Sequence, residues 1–254
     1  MITIALYNLK GGVGKTTTAV NLAYLAAEAK KQTVLWDWDP QAAASWYFGF
    51  DKAPNGKQKA IKIVSDGEIV ADMHKSTAYP NLSVIPADIS LRKLDDEFSR
   101  PDSARRLMQR LIKSLSKNTS ILILDLPPTL SPSVEYLLSA VDLVLVPMIP
   151  SPLSLRAMDQ VVDFFADKKQ APKHIVGFFN MVDLRRSIHL QTLKSTRKLP
   201  LPVMKTFVSM DSAAEKMAVR RAPLASYSRS GRAAESYRKM WREIGRIIKK
   251  QDME

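Results

Sequence analysis

A glycine-rich run near the start of the chain has the residue types of a phosphate-binding loop. It consists of Lys10, Gly11, Gly12, Val13, Gly14, Lys15, Thr16 and Thr17. Glycines let successive backbone N–H groups turn toward phosphate oxygens, and a helix that starts at the loop directs its positive end at the same oxygens. In such a loop Lys15 would reach the β- and γ-phosphates of a nucleotide, and the Thr16 hydroxyl would bind Mg²⁺.

The segments on either side of this loop support the same interpretation. Ile2–Tyr7 is a short apolar run that predicts a strand, and Thr16–Ala29 predicts a helix. A glycine turn that arose by chance would not need this strand–loop–helix context. We therefore interpret positions 10–17 as a nucleotide-binding loop.

Acidic residues follow two further apolar runs. Asp37 and Asp39 come after the predicted strand Thr33–Trp36, and Asp125 ends the run that starts at Ile121. Ligands of parallel sheets bind at the carboxyl ends of the strands. Asp125 has the position of a residue that holds Mg²⁺ through a water molecule. Asp37 and Asp39 could serve the nucleotide, or one of them could cap the following helix.

Together these motifs resemble the deviant Walker A ATPases of the ParA family, within the ParA/MinD superfamily. The matching features are the additional front lysine Lys10, the segment Asp37–Gln41, and Asp125 followed by the pair Pro127–Pro128. The resemblance implies that Lys10 crosses a dimer interface and touches the phosphates bound by the other subunit. It also implies that Asp39 helps position and activate the attacking water, and that Asp37 lies close to the Mg²⁺ shell. Lys10, Lys15 and Asp39 are then the predicted catalytic residues.

The resemblance extends to contacts later in the chain. Asn180 would lie against the adenine edge, and the loop from Thr206 to Ser212 could line the base as well. Arg185 matches an arginine that ParA-type proteins use for non-specific DNA binding. A second DNA-contacting arginine of some relatives falls at Ala213 here, so other basic residues would replace it. The candidates are Lys216, Arg220 and Arg221.

The chain also departs from the family pattern around its acidic motifs. Ala42 and Ala43 stand where the family usually has Gly-Asn, so any role of that asparagine is lost or moved. Leu126 stands where the family often has Thr or Cys.

The distribution of charge points to a polyanionic partner. The chain has 254 residues, no cysteine and a formal net charge of +13. Residues 181–254 hold 17 Lys and Arg against 7 Asp and Glu, whereas residues 1–180 hold 21 against 18. Such an excess suits nucleic acid or an anionic membrane. We predict that the basic C-terminal third, residues 181–254, forms a DNA-binding surface.

Apolar runs alternate with helical segments, which predicts an α/β fold with a doubly wound, mostly parallel sheet and helices on both faces. The predicted strands are Ile2–Tyr7, Thr33–Trp36, Leu82–Pro86, Ser120–Leu124, Leu143–Pro147 and Ile175–Asn180. The predicted helices are Thr16–Ala29, Ser103–Ser116, Ser133–Ala140, Ser154–Asp167, Ser187–Arg197 and Ala233–Lys250. Asp51–Ser76 is predicted to be irregular. Because the nucleotide motifs extend to about residue 180, we expect residues 1–254 to form a single P-loop ATPase domain.

The resemblance implies a ParA-like cycle in which ATP and Mg²⁺ drive a sandwich homodimer that binds DNA non-specifically. Slow hydrolysis of ATP, stimulated by a ParB-like or adaptor protein, would release the DNA. Such a cycle moves plasmids, chromosome regions or protein cargos. The protein would then be cytoplasmic and associated with the nucleoid, and the absence of cysteine fits that compartment.

Three alternatives share the same nucleotide motifs. A MinD-like membrane-cycling ATPase would need an apolar C-terminal tip, whereas this chain ends in Lys249, Lys250, Gln251, Asp252, Met253 and Glu254, a poor membrane anchor. A metabolic enzyme could use the fold for phosphorylation or amide ligation, although the Asp-Pro-Gln segment and the basic C-terminal third argue against it. An iron–sulfur electron donor is excluded because no cysteine is present.

Overall fold

Seven strands form one sheet in the part of the chain that the structure describes. The structure is a computed structural model, and it describes residues 1–50, 73–87, 101–166, 172–196 and 199–251. The strands are β1 (Ile2–Leu6), β2 (Thr33–Asp37), β3 (Lys75–Ser76), β4 (Leu82–Ile85), β5 (Ile121–Asp125), β6 (Leu143–Met148) and β7 (His174–Phe179). Their order is β3-β4-β2-β5-β1-β6-β7, and only the β3–β4 pair is antiparallel. The prediction of a doubly wound, mostly parallel sheet is confirmed.

Helices connect the strands and continue beyond the last one. They are α1 (Lys15–Glu28), α2 (Ala43–Tyr47), α3 (Pro101–Leu115), α4 (Pro132–Ala140), α5 (Pro152–Ala166), α6 (Ser187–Lys194), α7 (Ser212–Arg220), α8 (Leu224–Tyr227) and α9 (Arg232–Gln251). Pro132 and Pro152 begin α4 and α5. Proline suits a first helical position because its N–H would have no partner there in any case.

The sheet separates two apolar cores because its central strands bury side chains on both faces. Every residue of β5 is buried. Leu122 and Leu124 contribute to one core with residues of α3, α4 and α5, whereas Ile121 and Ile123 contribute to the other with α1, α7 and α9. Side chains of successive strand residues point to opposite faces, so a fully buried parallel strand is apolar throughout.

The C-terminal helix α9 packs against α1, the helix that follows the phosphate-binding loop. Tyr237, Met240 and Ile244 are buried and lie at helical spacing along α9. The Tyr237 hydroxyl lies 3.3 Å from Oγ1 of Thr18 on α1. The apolar side of α9 therefore helps to hold the loop helix in place.

Short elements are where the sequence interpretation and the structure differ. The sequence does not predict the two-residue strand β3 or the helices α2, α7 and α8. Of these, β3, α2 and α8 have only two to five residues, too few to show a periodicity. The predicted irregular region Asp51–Ser76 lies mostly outside the described residues. The predicted helix Ser187–Arg197 ends at Lys194. Among the described residues, no helix combines the length and the apolarity that crossing a membrane requires.

Candidate functional site

The phosphate-binding loop and the two acidic motifs meet at one edge of the sheet. Strand β5 lies between β1 and β2, so the loop after β1 adjoins the ends of both neighbours. In the parallel register, Leu6 pairs with Asp125, and Asp37 also pairs with Asp125. The carboxyl ends of these three strands therefore bring together the residues that the sequence assigned to nucleotide and metal.

Glycine is required in the loop by its conformation and by a close approach. Gly12 and Gly14 have φ angles of 74° and 92°, a region that disfavours L side chains. A Cβ at Gly14 would lie 2.1 Å from Nδ2 of Asn180. The same nitrogen donates a hydrogen bond of 2.8 Å to the carbonyl oxygen of Val13. The end of β7 thus holds the loop closed from one side.

The two lysines of the loop occupy different environments. Lys15 is buried, and its ammonium donates to the carbonyl oxygen of Lys10 at 3.3 Å. Burial lowers the pKa of Lys15, and the carboxylates of Asp125 and Asp39 partly oppose that shift. Lys10 is partly exposed, and its ammonium lies 3.5 Å from the hydroxyl of Ser154 at the start of α5. Lys15 therefore points into the site, whereas Lys10 lies at its rim.

Asp125 is the most unusual polar side chain of the site. Both of its carboxylate oxygens are buried, and among the described residues neither has a hydrogen-bond partner. The pKa of Asp125 is raised well above its ordinary value, mainly by burial and secondly by the charge of Asp37. The Thr16 hydroxyl and the charge of the Lys15 ammonium lower the pKa of Asp125 and so offset part of this rise. An unpaired buried carboxylate is costly, so this geometry fits a site for a cation.

The donor set suits Mg²⁺ better than a metal held entirely by protein. The described residues contain no cluster of three or more His, Asp or Glu side chains. Mg²⁺ is commonly bound by one or two carboxylates together with phosphate oxygens and water. Asp125, with Thr16 beside it, provides that kind of partial coordination.

Asp37 is engaged by the protein itself. One carboxylate oxygen accepts hydrogen bonds from the backbone N–H and the hydroxyl of Ser45, both at 2.7 Å, and the other accepts from the N–H of Asp39 at 3.1 Å. Burial raises its pKa to about 6, and the bonds from Ser45 and Asp39 oppose part of the rise. These bonds shape the loop that carries Asp39.

Asp39 lines a cleft between the loop after β2 and the segment from Pro127 into α4. One of its oxygens accepts the N–H of Gln41 at 2.9 Å, an Asx-type turn that leaves the other oxygen for chemistry. The cleft has a volume of about 410 Å³. Its walls are Trp38, Asp39, Pro40 and Gln41 on one side and Pro127, Pro128, Thr129, Ser131, Ser133 and Val134 on the other. The aspartate loop and the Pro-Pro segment thus face each other.

A second cavity of about 230 Å³ lies beside the loop helix. It is lined by Thr17, Tyr47, Asn180, Met181, Val208, Ser209, Met210, Asp211, Ala214, Glu215 and Tyr237. Asn180 and part of the predicted loop Thr206–Ser212 therefore line one cavity. The sequence interpretation missed Tyr47, Glu215 and Tyr237, because no motif marks side chains that reach a site from separate helices.

The candidate DNA-binding residues do not form one cluster of unpaired charges. Arg185 is exposed and makes two bonds of 2.9 Å to the carboxylate of Asp183. Lys216 and Arg220 are exposed on α7, and Arg220 lies 5.0 Å from the ring centroid of Tyr227. Arg221 is bound to Trp46 instead of extending into solvent.

Comparisons with known proteins identify the family to which the chain belongs. A family model described as an AAA domain matches residues 1–176. The sporulation initiation inhibitor protein Soj of Bacillus subtilis is 30% identical over 249 residues, which are 95% of this chain and 97% of Soj. The chromosome partitioning protein ParA of Myxococcus xanthus is 27% identical over 95% of this chain and 87% of its own length. The chain belongs to the ParA family.

Solved structures of other proteins share this fold. The ATP complex of a Cyanothece McdA variant superposes with a TM-score of 0.82 at 18% identity, over 96% of each chain. Cobyrinic acid a,c-diamide synthase of Mycobacterium smegmatis, with ADP and magnesium, gives 0.81 at 21% identity, over 98% of this chain and 95% of the synthase. At these identities the likeness concerns the fold alone.

Proposed function

We propose that this ParA-family protein is an ATPase that binds ATP with Mg²⁺, forms a sandwich homodimer, binds DNA without sequence preference and releases it after hydrolysis. The observation that carries the nucleotide part is Asp125, a buried carboxylate without a partner among the described residues, beside a complete phosphate-binding loop. The DNA part is supported by the 17 basic against 7 acidic residues of positions 181–254.

The loop residues and the site carboxylates have separate roles in this proposal. Gly11–Thr17 would hold the phosphates, and Lys15 would balance charge on the β- and γ-phosphates. Thr16 and Asp125 would hold Mg²⁺, whose positive charge would offset the developing charge on the phosphate oxygens. Asp37 would hold the loop on which Asp39 directs the attacking water. Phosphoryl transfer needs positioning and charge neutralisation more than covalent chemistry, so a covalent nucleophile is not required.

Lys10 would make dimerisation part of the ATP response. Its ammonium is partly exposed and lies 3.5 Å from the hydroxyl of Ser154. The family resemblance implies that it touches the phosphates bound by a second subunit. A dimer would then form only when both sites hold ATP, and hydrolysis would dissolve it. We expect hydrolysis to be slow until a ParB-like or adaptor protein stimulates it.

DNA binding would depend on both the dimer and the exposed basic residues. Arg185, Lys216 and Arg220 are exposed in each subunit, and a dimer doubles the number of cations that face one duplex. Contacts to phosphates are independent of sequence and strongly dependent on salt. The protein would therefore associate with the nucleoid in the cytoplasm. Its cargo would be a plasmid, a chromosome region or a protein assembly.

Two other functions are compatible with the fold. A MinD-like ATPase would cycle on a membrane instead of DNA, and an amide-forming enzyme would use ATP to activate a carboxylate. Flotation of the protein with anionic liposomes in the presence of ATP separates the first from our proposal. The basic C-terminal third favours the DNA-binding function over both.

The decisive experiment compares wild type with Lys10→Ala for binding to random-sequence duplex DNA without nucleotide, with ADP, and with ATP and Mg²⁺. We expect DNA binding only with ATP, and its loss in the variant together with the loss of dimers. Lys31→Ala, which removes an equal charge at an exposed position after α1, is the matched control. Equal binding in all nucleotide states would refute control by ATP, and absence of any DNA binding would favour a membrane or protein surface.

A further inference from the structure

The guanidinium group of Arg221 stacks on and hydrogen-bonds to Trp46, which lies 175 residues earlier in the chain. Its central carbon lies 4.8 Å from the ring centroid of Trp46. Its Nε and Nη2 donate hydrogen bonds of 3.0 and 2.9 Å to the backbone carbonyl oxygen of Trp46. Stacking combined with two hydrogen bonds uses the planar geometry of arginine, which lysine cannot reproduce.

This contact joins two segments that serve different parts of the proposed cycle. Arg221 ends α7 in a left-handed conformation, with φ at 48°. The preceding turns of α7 carry the exposed cations Lys216 and Arg220. Trp46 belongs to α2, which follows the Asp39 loop and has only five residues. A helix of that length depends on tertiary contacts for its stability.

The adjacent residue ties α2 to the acidic motif. Ser45 donates two hydrogen bonds of 2.7 Å to Asp37, and the other oxygen of Asp37 accepts the N–H of Asp39 at 3.1 Å. Ser45 is buried, as is Asp37. A continuous series of contacts therefore runs from Asp39 through Asp37 and α2 to Arg221 and α7.

The opposite end of α7 also reaches the nucleotide site. Ala214 and Glu215, in its first turn, line the cavity that we interpret as the base pocket. The aspartate loop lies at the phosphate end of the same site. A bound nucleotide would thus affect both ends of α7. Its base would contact the first turn of α7 directly, and its phosphates would act on the other end through the aspartate loop and α2.

We propose that Arg221 is a positioning residue that couples the Asp37–Asp39 loop to α7, so that the nucleotide state sets the orientation of the basic residues on α7. This role replaces the direct DNA contact that the sequence suggested for Arg221. The proposal rests on the proposed function, because it takes ATP as the ligand and DNA as the partner.

Three variants separate a positioning role from a phosphate contact. Arg221→Lys keeps the charge and removes the stacked, two-bond geometry. Trp46→Leu removes the stacking surface and no charge. Arg221→Ala removes the charge and the stacked, two-bond geometry together. Lys216→Ala is the matched control, because it removes an exposed charge from the same helix. Far-UV circular dichroism and thermal unfolding establish that each variant folds.

The measurement is DNA affinity against salt concentration, without nucleotide and with ATP and Mg²⁺. We expect Arg221→Lys and Trp46→Leu to reduce the ratio of the two affinities by about fivefold or more, the range of typical coupling between sites. The salt slope in the ATP state should remain that of wild type in both. In Lys216→Ala the slope should fall by about 0.9 for one lost phosphate contact.

Two outcomes would overturn the proposal. One is a wild-type affinity ratio in Arg221→Lys and Trp46→Leu. The other is a salt slope that falls in Arg221→Ala while Trp46→Leu behaves as wild type, which is the behaviour of a direct phosphate contact. If wild-type protein binds no DNA in any nucleotide state, the proposed function fails and ATP turnover decides. The coupling then requires a kcat lowered by about fivefold at unchanged KM in Arg221→Lys and Trp46→Leu, and an unchanged kcat rejects it.

Discussion

The side-chain nitrogen of Asn180 occupies the space that a side chain on Gly14 would need. The two residues are far apart in the chain, and a Cβ on Gly14 would lie 2.1 Å from that nitrogen. Because Asn180 also donates to the carbonyl of Val13 at 2.8 Å and lines the cavity beside α1, the phosphate-binding loop and that cavity share one contact. A change at either residue should therefore affect both parts of the nucleotide site.

Gly14→Ala should destabilise the protein and abolish ATP binding. The left-handed φ of 92° alone costs about 1–2 kcal/mol for a residue with a Cβ, and displacement of Asn180 adds to that. Urea unfolding without nucleotide measures the loss. Gly11→Ala is the control for stability, because its Cβ would meet no atom within 4 Å and its φ is not positive. Equal destabilisation by the two substitutions would contradict this account.

Ala42→Gly should stabilise the protein. Ala42 has a φ of 55° at the start of α2, where the family usually has glycine, and a left-handed alanine costs about 1–2 kcal/mol. Glycine also raises the entropy of the unfolded chain, so the net gain should be about 0.5–1 kcal/mol.

The control for this gain is Ala43→Gly, one residue further along in α2, where the backbone is helical and glycine should be unfavourable by about 1 kcal/mol. Thermal unfolding of both variants provides the comparison. A lower melting temperature in Ala42→Gly than in wild type would show that the strain is absent.

The motifs of the nucleotide site could be predicted from sequence because each is continuous in the chain. The run 10–17 and the acids after β2 and β5 were located by residue types alone, and the parallel sheet brings them together as expected. Asn180 was assigned through the family resemblance, and it lies in the same cavity as the residues before α7.

The surroundings of the site could not be predicted because they depend on contacts between distant segments. Tyr237 reaches the base cavity from α9, and Arg221 reaches Trp46 across the chain. Nothing in the local sequence distinguishes Arg221 from its neighbour Arg220, which lies over Tyr227 instead. Five residues around Ser45 also give no periodicity from which α2 could be recognised.

Without nucleotide and metal, the protein should be more stable at weakly acidic than at neutral pH. The folded state raises the pKa of Asp125, through burial and the charge of Asp37, and raises that of Asp37 to about 6 through burial. A raised folded pKa means that the stability contribution is complete below the ordinary carboxyl pKa and is lost as pH rises through the folded value. The loss should begin near the ordinary carboxyl pKa of about 4 and extend beyond pH 6.

Asp125→Asn tests that origin, because it removes the buried charge. In EDTA, the variant should lose less unfolding free energy than wild type between about pH 5 and pH 8. Asp163→Asn, at an exposed position of α5, should follow the wild-type curve. A wild-type pH dependence in Asp125→Asn would show that the unpaired carboxylate is not the cause.

Arg185 should contribute to DNA binding once a DNA phosphate displaces Asp183 from its guanidinium group. The two bonds of 2.9 Å between them lie at the surface, where the Arg185 side chain is 88% exposed. An exposed pair is worth only about 0–1 kcal/mol, so a phosphate can displace the carboxylate. With ATP and Mg²⁺, Arg185→Ala should weaken DNA binding and reduce the salt slope by about 0.9.

Asp183→Asn should tighten binding at low salt, since it releases the guanidinium and removes a negative charge. The distant variant Lys31→Ala changes the net charge as Arg185→Ala does, and it should alter neither quantity appreciably. Dimerisation with ATP should stay unchanged throughout, because these residues are not part of the nucleotide site. If Arg185→Ala and Lys31→Ala reduce DNA binding equally, total charge and not this loop governs the contact with DNA.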